Sequence, residues 1–409
     1  LLSLYLDEYA DTPWEALKYL IAGVNYGGHV TDDWDRRLLL TYIDDVFCDE
    51  ALTAEQFRLS AAPQYYIPPD GDLASYGNFA NTLPAVDPPE AFGQHPNADT
   101  SSMIRETRTL LDTLVSLQPA KAAGSGVSRE DKVLELAADM LARLPQCIDE
   151  EATAKLLRDD PNPLNVVLLQ EIARYNMLLR TMRASLEDLQ KGIRGLVVMS
   201  SDLETTFTCI HNGQLPPMWA GTYPSQKPLA AWMRDLIERI SMFAAWAQTG
   251  RQPLLFWMSA FTFPTGFLTA VLQNAARNNS VSIDVLSWDF TVMTVDDVNI
   301  VEAPKDGVYI RGLFLEGAGW DKKAGCLTEP SPMQLVCPMP TILFKPVENK
   351  KPARKGVYQA PCYYYPNRAG EGGAAAWSFV IAVDLKAGAV ASPDHWVKRG
   401  TALLMSLES

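Results

Sequence analysis

The densest run of chemistry-bearing side chains is NYGGHVTDDWDRRLL, residues 25–39, with a histidine, three aspartates and two arginines behind a glycine pair. Two chemistries fit these residue types. His29 with Asp32, Asp33 and Asp35 could gather a metal ion. Alternatively the acids open a helix. Thr31 is a good N-cap, and Asp32, Asp33 and Asp35 then fall in the first turn, where the helix dipole favours anions. Asp32–Arg36 and Asp33–Arg37 are four apart with the acid first, the better order for a helical ion pair. Trp34, Leu38, Tyr42 and Val46 form one apolar row, and Leu39, Ile43 and Phe47 the next. Gly27–Gly28 lets the chain reverse before the helix. The spacing therefore predicts an αα-hairpin rather than a metal site.

Other catalytic patterns are missing from the sequence. Gly-Lys does not occur, so no P-loop can cradle ATP phosphates, and the G-x-G of AAGSGVS (122–128) follows no strand. H-E-x-x-H and G-x-S-x-G are also missing. His29, His95, His211 and His395 share no local spacing, and His395 in PDHWVKRG (393–400) reads as a packed turn. The six cysteines, Cys48, Cys147, Cys209, Cys326, Cys337 and Cys362, form no C-x-x-C pair. They read as reduced thiols in a cytosolic setting. No catalytic residue, cofactor site or metal site is assigned. A basic run, KPVENKKPARKG, holds Lys350, Lys351, Arg354 and Lys355 between two strands. It is either a solvated hairpin loop or an electrostatic contact with an acidic surface such as another domain.

The elements around these residues divide the chain. Its 409 residues, 47% hydrophobic and 21% charged, suit two or three globular domains. A formal charge of −14 argues against nucleic-acid or anionic-membrane partners. No apolar run is long enough to cross a membrane. Residues 1–98 read as helices and a Pro-rich linker without helical period (65–98). One capping box is expected at Thr12 with Glu15. Helices dominate 99–280, with boxes at Ser128 with Asp131 and Ser201 with Glu204. One unusually long helix is expected from Asn162–Pro163 to Gly192. From 281 to 409 the runs are β-rich, five or six strands that suggest a small antiparallel barrel. The expected class is α+β: a helical N-terminal region and bundle, then a C-terminal β-barrel.

Several blocks resemble dynein heavy chains. VNYGGHVTDDWDRRLL resembles the start of the lid of the sixth AAA+ module, and PPEAFGQHPNAD with ETRTLLDTLVSLQP the passage into the C-terminal domain. LPPMWA, YPSQKPLAAWMRDL and FTFPTGFLTAVLQNAAR resemble that domain's helical half. GVYIRGLFLEGAGWD and HWVKRGTALLMSL resemble its β half. The resemblance runs the whole chain in order, and is nearest to axonemal chains of the single-headed inner-arm kind. It marks Tyr26, Gly27, Gly28, Thr31, Asp32, Trp34, Asp35, Arg36, His395, Trp396, Arg399 and Gly400 as signature structural positions. The loop 366–377 departs from the family pattern.

The resemblance implies the end of an ATP-driven microtubule motor, cut from something longer, since the chain opens without methionine. ATP and Mg would belong to upstream modules, and microtubules would be met only through a stalk outside this chain. Implied partners are the AAA+ ring and dynein subunits, and the implied location is the cytoskeleton of a ciliary or flagellar axoneme. Two rival readings stand beside it: an independent binding module using its barrel and basic hairpin, and an enzyme with an unrecognised carboxylate site.

Overall fold

The computed structural model describes residues 9, 11–117, 128–223, 225–349, 355–364, 378–390 and 392–407. Its helices are α1 (Trp14–Lys18, continued by a π-helical stretch Tyr19–Asn25), α2 (Asp33–Val46), α3 (Glu50–Thr53), α4 (Leu73–Thr82), α5 (Asn97–Leu117), α6 (Arg129–Arg143), α7 (Glu150–Leu156), α8 (Pro163–Ile193), α9 (Ser201–His211), α10 (Pro217–Ala220), α11 (Leu229–Thr249), α12 (Pro264–Asn279) and α13 (Asp394–Lys398). Its strands are β1 (Leu255–Trp257), β2 (Leu286–Val292), β3 (Val308–Arg311), β4 (Phe314–Glu316), β5 (Gly319–Asp321), β6 (Cys326–Thr328), β7 (Val336–Pro338), β8 (Ile342–Glu348), β9 (Val357–Tyr363), β10 (Phe379–Lys386) and β11 (Ala402–Leu404).

The α+β class holds, but the β part is not a closed antiparallel barrel. It forms open sheets ordered β1-β3-β8-β2, β10-β9-β11-β4-β7 and β5-β6. Two pairings are parallel, β1 with β3 and β11 with β9. Closure needs strands long enough to share one shear around a ring. Here β4, β5, β6, β7 and β11 have three residues each. The strand β1 also comes from the helical stretch before residue 281. It was hidden in the sequence because LFW is too short to show a period of two.

The caps correct several expectations. Ser128 accepts from Asp131 N as read. Elsewhere the cap falls one residue away. Ser200, not Ser201, accepts from Leu203 N, and α1 begins after Pro13, with no side-chain cap from Thr12. The supposedly irregular 65–98 holds α4, capped by Asp72. None of the residues of α4 is buried, so no apolar period announces it. The long helix is present as α8, with Pro163 in its first turn and Asn162 as cap.

One hydrophobic cluster runs from α6, α8, α11 and α12 into β3, β4, β8, β9 and β10 and on to Trp396 of α13. Trp219, Trp232, Trp246 and Phe243 are each no more than 1% exposed within it. An ion network ties the layers where they meet. Arg239 on α11 is buried, pairs with Asp235, donates to Ser259 O, and lies over the rings of Tyr223 at 4.3 Å and Trp257 at 5.0 Å. Lys227 closes on the other oxygen of Asp235 at 2.8 Å. On α8, Glu171 is buried and accepts from Thr262 N at 2.9 Å and Thr262 Oγ1 at 3.0 Å. Burial pushes its carboxyl up from the usual range, against the pull of Thr262 and Arg174.

Candidate functional site

The opening motif and PDHWVKRG meet. Helix α2 packs on α13 and on β9, so residues 33–46 touch groups more than 300 positions away. The approach to α2 depends on glycine. A Cβ on Gly27 would stand 1.8 Å from Ala22 O, and one on Gly28 2.7 Å from Val24 O. Only a bare backbone fits against the π-helical turn. Tyr26 at this turn is exposed.

The cap of α2 is Asp32, not Thr31. Its carboxylate accepts from Trp34 N at 2.9 Å and Asp35 N at 3.1 Å. An ionised acceptor at the positive helix end is the stronger cap, and Thr31 is left exposed one residue earlier. Burial and then the nearby Asp32 charge raise the carboxyl pKa of Asp35. The arginines also differ from expectation. Arg36 turns back to Val30 O at 2.8 Å. Arg37 leaves its own helix and donates to Gln359 O at 2.8 Å and Tyr358 Oη at 3.1 Å. Its guanidinium lies 4.5 Å from the Trp34 ring centroid and 5.1 Å from that of Tyr358. Tyr358 is 2% exposed and donates onward to Thr401 O at 2.6 Å. Trp34 meets Phe379 of β10 at 5.4 Å.

The second motif answers from the other side. Trp396 is buried and donates to Ala387 O at 2.8 Å, which fixes α13 on the sheet. Lys398 pairs with Asp45 of α2. Arg399 donates to Gly93 O at 3.0 Å and pairs with Glu329 at 3.1 Å. His395 takes the other oxygen of Glu329 at 2.5 Å. The expected packed turn is thus a short helix with a charge partner that lies 66 residues away. Gly93 has φ +72°, and a Cβ there would stand 3.0 Å from Lys398 Cβ, so glycine lets the two segments close. Gly400 also has positive φ, 66°. Asn97, at the head of α5, clamps the loop after β6. It donates to Ser331 O and Gln334 O and accepts from Met333 N.

The seam between residues 1–98 and the C-terminal sheets is pinned at these points and hollow between them. Cavities of about 410, 250 and 440 Å³ lie along it. Arg399 lines the first and third. Among the described residues no group of three or more His, Cys, Asp or Glu could hold a metal ion, and His29 is exposed. Among the described residues no helix is long and apolar enough to cross a membrane. Of the basic run, Lys350, Lys351 and Arg354 lie outside the described residues, as does the loop 366–377, and Lys355 is exposed. The structure therefore brings Asp32, Trp34 and Asp35 to one cavity wall with Gly400. It adds Arg37, Gly93, Asn97, Glu329 and Tyr358, which sequence reading did not single out as site residues. The doublet Arg36–Arg37 was the one local signal for Arg37. Nothing local marks Glu329.

Residues 1–98 match the family model of the AAA lid domain of dynein heavy chains, and residues 104–405 match that of their C-terminal domain. The chain belongs to the dynein heavy chains. It is 64% identical over its whole length to human dynein axonemal heavy chain 2. It is 52% identical to the dynein-1-beta heavy chain of the flagellar inner arm I1 complex of Chlamydomonas reinhardtii. Human dynein axonemal heavy chain 1 is 40% identical. All of this chain is covered in each match, but only 9 or 10% of the relative. The seam thus lies between the two matched dynein regions, lid on one side and C-terminal domain on the other.

Proposed function

We propose that this chain is the C-terminal structural and regulatory segment of an ATP-driven, microtubule-based motor heavy chain of the ciliary or flagellar axoneme. In this reading it packs on the AAA+ ring of its own heavy chain and modulates motor output. ATP and Mg act in upstream modules, and microtubules are met through a stalk elsewhere in the heavy chain. Other dynein subunits are its further partners. The axonemal relatives support the location.

The observation that carries the regulatory role is the seam. Arg37, Asp45 and Gly93 of the lid are each held by a group of the C-terminal domain, so a lid that tilts must strain or break those contacts. A domain biases the states of a motor only through contacts that differ between them. A coupling of about 1–3 kcal/mol would alter rates noticeably.

The test compares a full-length motor with its Arg37→Ala/Arg399→Ala double variant in gliding speed, stall force and microtubule-stimulated ATPase. Basal ATPase should persist while speed or force changes. Equal values in all three would reduce the segment to a passive cap. Loss of basal ATPase would mean that the ring needs it to fold, and the regulatory reading would fall. Point substitutions are the cleaner test. A truncation at 281 would part β1 from β3 and open the shared core.

A further inference from the structure

We propose that the 440 Å³ cavity between the lid and α13 binds a small multivalent phosphate anion. Arg58 comes from the lid, and Lys398 and Arg399 from the C-terminal side, so three permanently positive side chains line it against the single carboxylate of Asp45. His395 stands beside them. Asp45 is already held by Lys398, and Glu329 by His395 and Arg399. That leaves donors over. Arg58 has no acceptor for its guanidinium among the described residues, although it faces the cavity. Arg399 Nε is buried and has no partner there either.

The ligand class follows from this arrangement. Guanidinium groups present paired N–H donors that match the oxygens of a phosphate. Lys398 and Arg399 are each paired with a carboxylate, so the excess charge is that of Arg58. What selects a pyrophosphate-sized anion over one carboxylate is reach, since it can meet donors from both walls together. The apolar floor, Ile43, Val46 and Ala91, excludes water on one side and so strengthens each contact. A cavity of this volume is within the range that holds small molecules. Because the walls belong to both matched regions, a bound anion would bridge the seam. The inference stands on the cavity alone and does not depend on the motor reading.

The experiment titrates inorganic pyrophosphate into the 409-residue chain at low ionic strength by calorimetry. Two variants run alongside. Arg58→Ala removes the unpartnered guanidinium from an exposed side chain and leaves its backbone bridge to Tyr66. Lys155→Ala removes an exposed charge that does not line the cavity. Saturable one-site binding is expected, weakened about tenfold by Arg58→Ala and unchanged by Lys155→Ala. The wild-type melting temperature should rise with pyrophosphate, and that rise should shrink in Arg58→Ala. Titration with ADP, which carries two phosphates on an aromatic body, identifies the source. Tighter binding than pyrophosphate assigns an ester that uses the apolar floor, and equal or weaker binding assigns the inorganic anion. Absence of saturable binding in the millimolar range overturns the proposal. So does an Arg58→Ala variant that binds like wild type, or equal weakening in both variants, which would mean diffuse attraction only.

Discussion

Helices α5 and α8 carry apolar residues at the same helical spacing and end in opposite surroundings. Along α8, Leu164, Leu168, Ile172, Tyr175, Leu179, Met182, Leu186 and Leu189 are each no more than 1% exposed. Along α5, Met103, Leu110, Leu111 and Leu114 keep between 51 and 59% of their surface, and Ile104 keeps 47%. Helix α8 has α6, α11 and α12 around it, while α5 is anchored mainly at its head by Asn97. Periodicity reports that a helix has a face. It does not say what covers that face, and so does not say what the face is worth to stability.

If surroundings rather than pattern set that worth, substitutions should rank by what encloses them. The largest effect is expected at Arg239→Ala, which leaves Asp235 charged and buried beside Lys227 alone. A denaturant melt should show a loss of about 3–5 kcal/mol. Leu186→Ala in the middle of α8 should cost about 2–5 kcal/mol in the same melt. Its counterpart Leu110→Ala on α5 should stay within about 0.5 kcal/mol. Equal costs at Leu186 and Leu110 would break the comparison.

Between these extremes stands the cap of α2. Asp32→Ala should cost about 1 kcal/mol, and Thr31→Ala close to nothing, because the carboxylate of Asp32 carries the N–H bonds. The reverse order would restore Thr31 as the cap. Glu171 sharpens the comparison through pH. Its folded pKa is raised by burial, so the folded state binds the proton more tightly than the unfolded one. That contribution to stability is complete below the ordinary glutamate pKa and is lost as pH rises through the raised value. Glu171→Gln keeps an acceptor for Thr262 N and should flatten this part of the stability-versus-pH curve. An unchanged slope would show that Glu171 titrates normally.

What the sequence could show follows the same divide. Long elements with caps were legible: α8 with Asn162 and Pro163, and the Ser128 cap. Three-residue strands were not, since no period fits inside them, and with them went the sheet order and the open edges. Adjacent capping residues, Thr31–Asp32 and Ser200–Ser201, fixed a helix start only to within one residue. Asp32 and Ser200 displaced Thr31 and Ser201 because either member of each pair can reach the free N–H groups. At the seam the motifs themselves were visible, as was the clustering of charge in them. Their pairing was not, because Arg37 finds Gln359 and His395 finds Glu329 through tertiary approach alone.

The seam also has a consequence for how the molecule is made. The guanidinium of Arg37 and its acceptor Gln359 are 322 positions apart. At about 5–20 residues per second, a ribosome that has released α2 needs roughly 15–65 s more before β9 emerges. The strand β11 and the helix α13 come later still. Through that interval Trp34 and the arginine beside it have no native surface to cover them. A nascent lid must therefore wait in water, or in the hands of a chaperone, until almost the last segment of this chain has been synthesised.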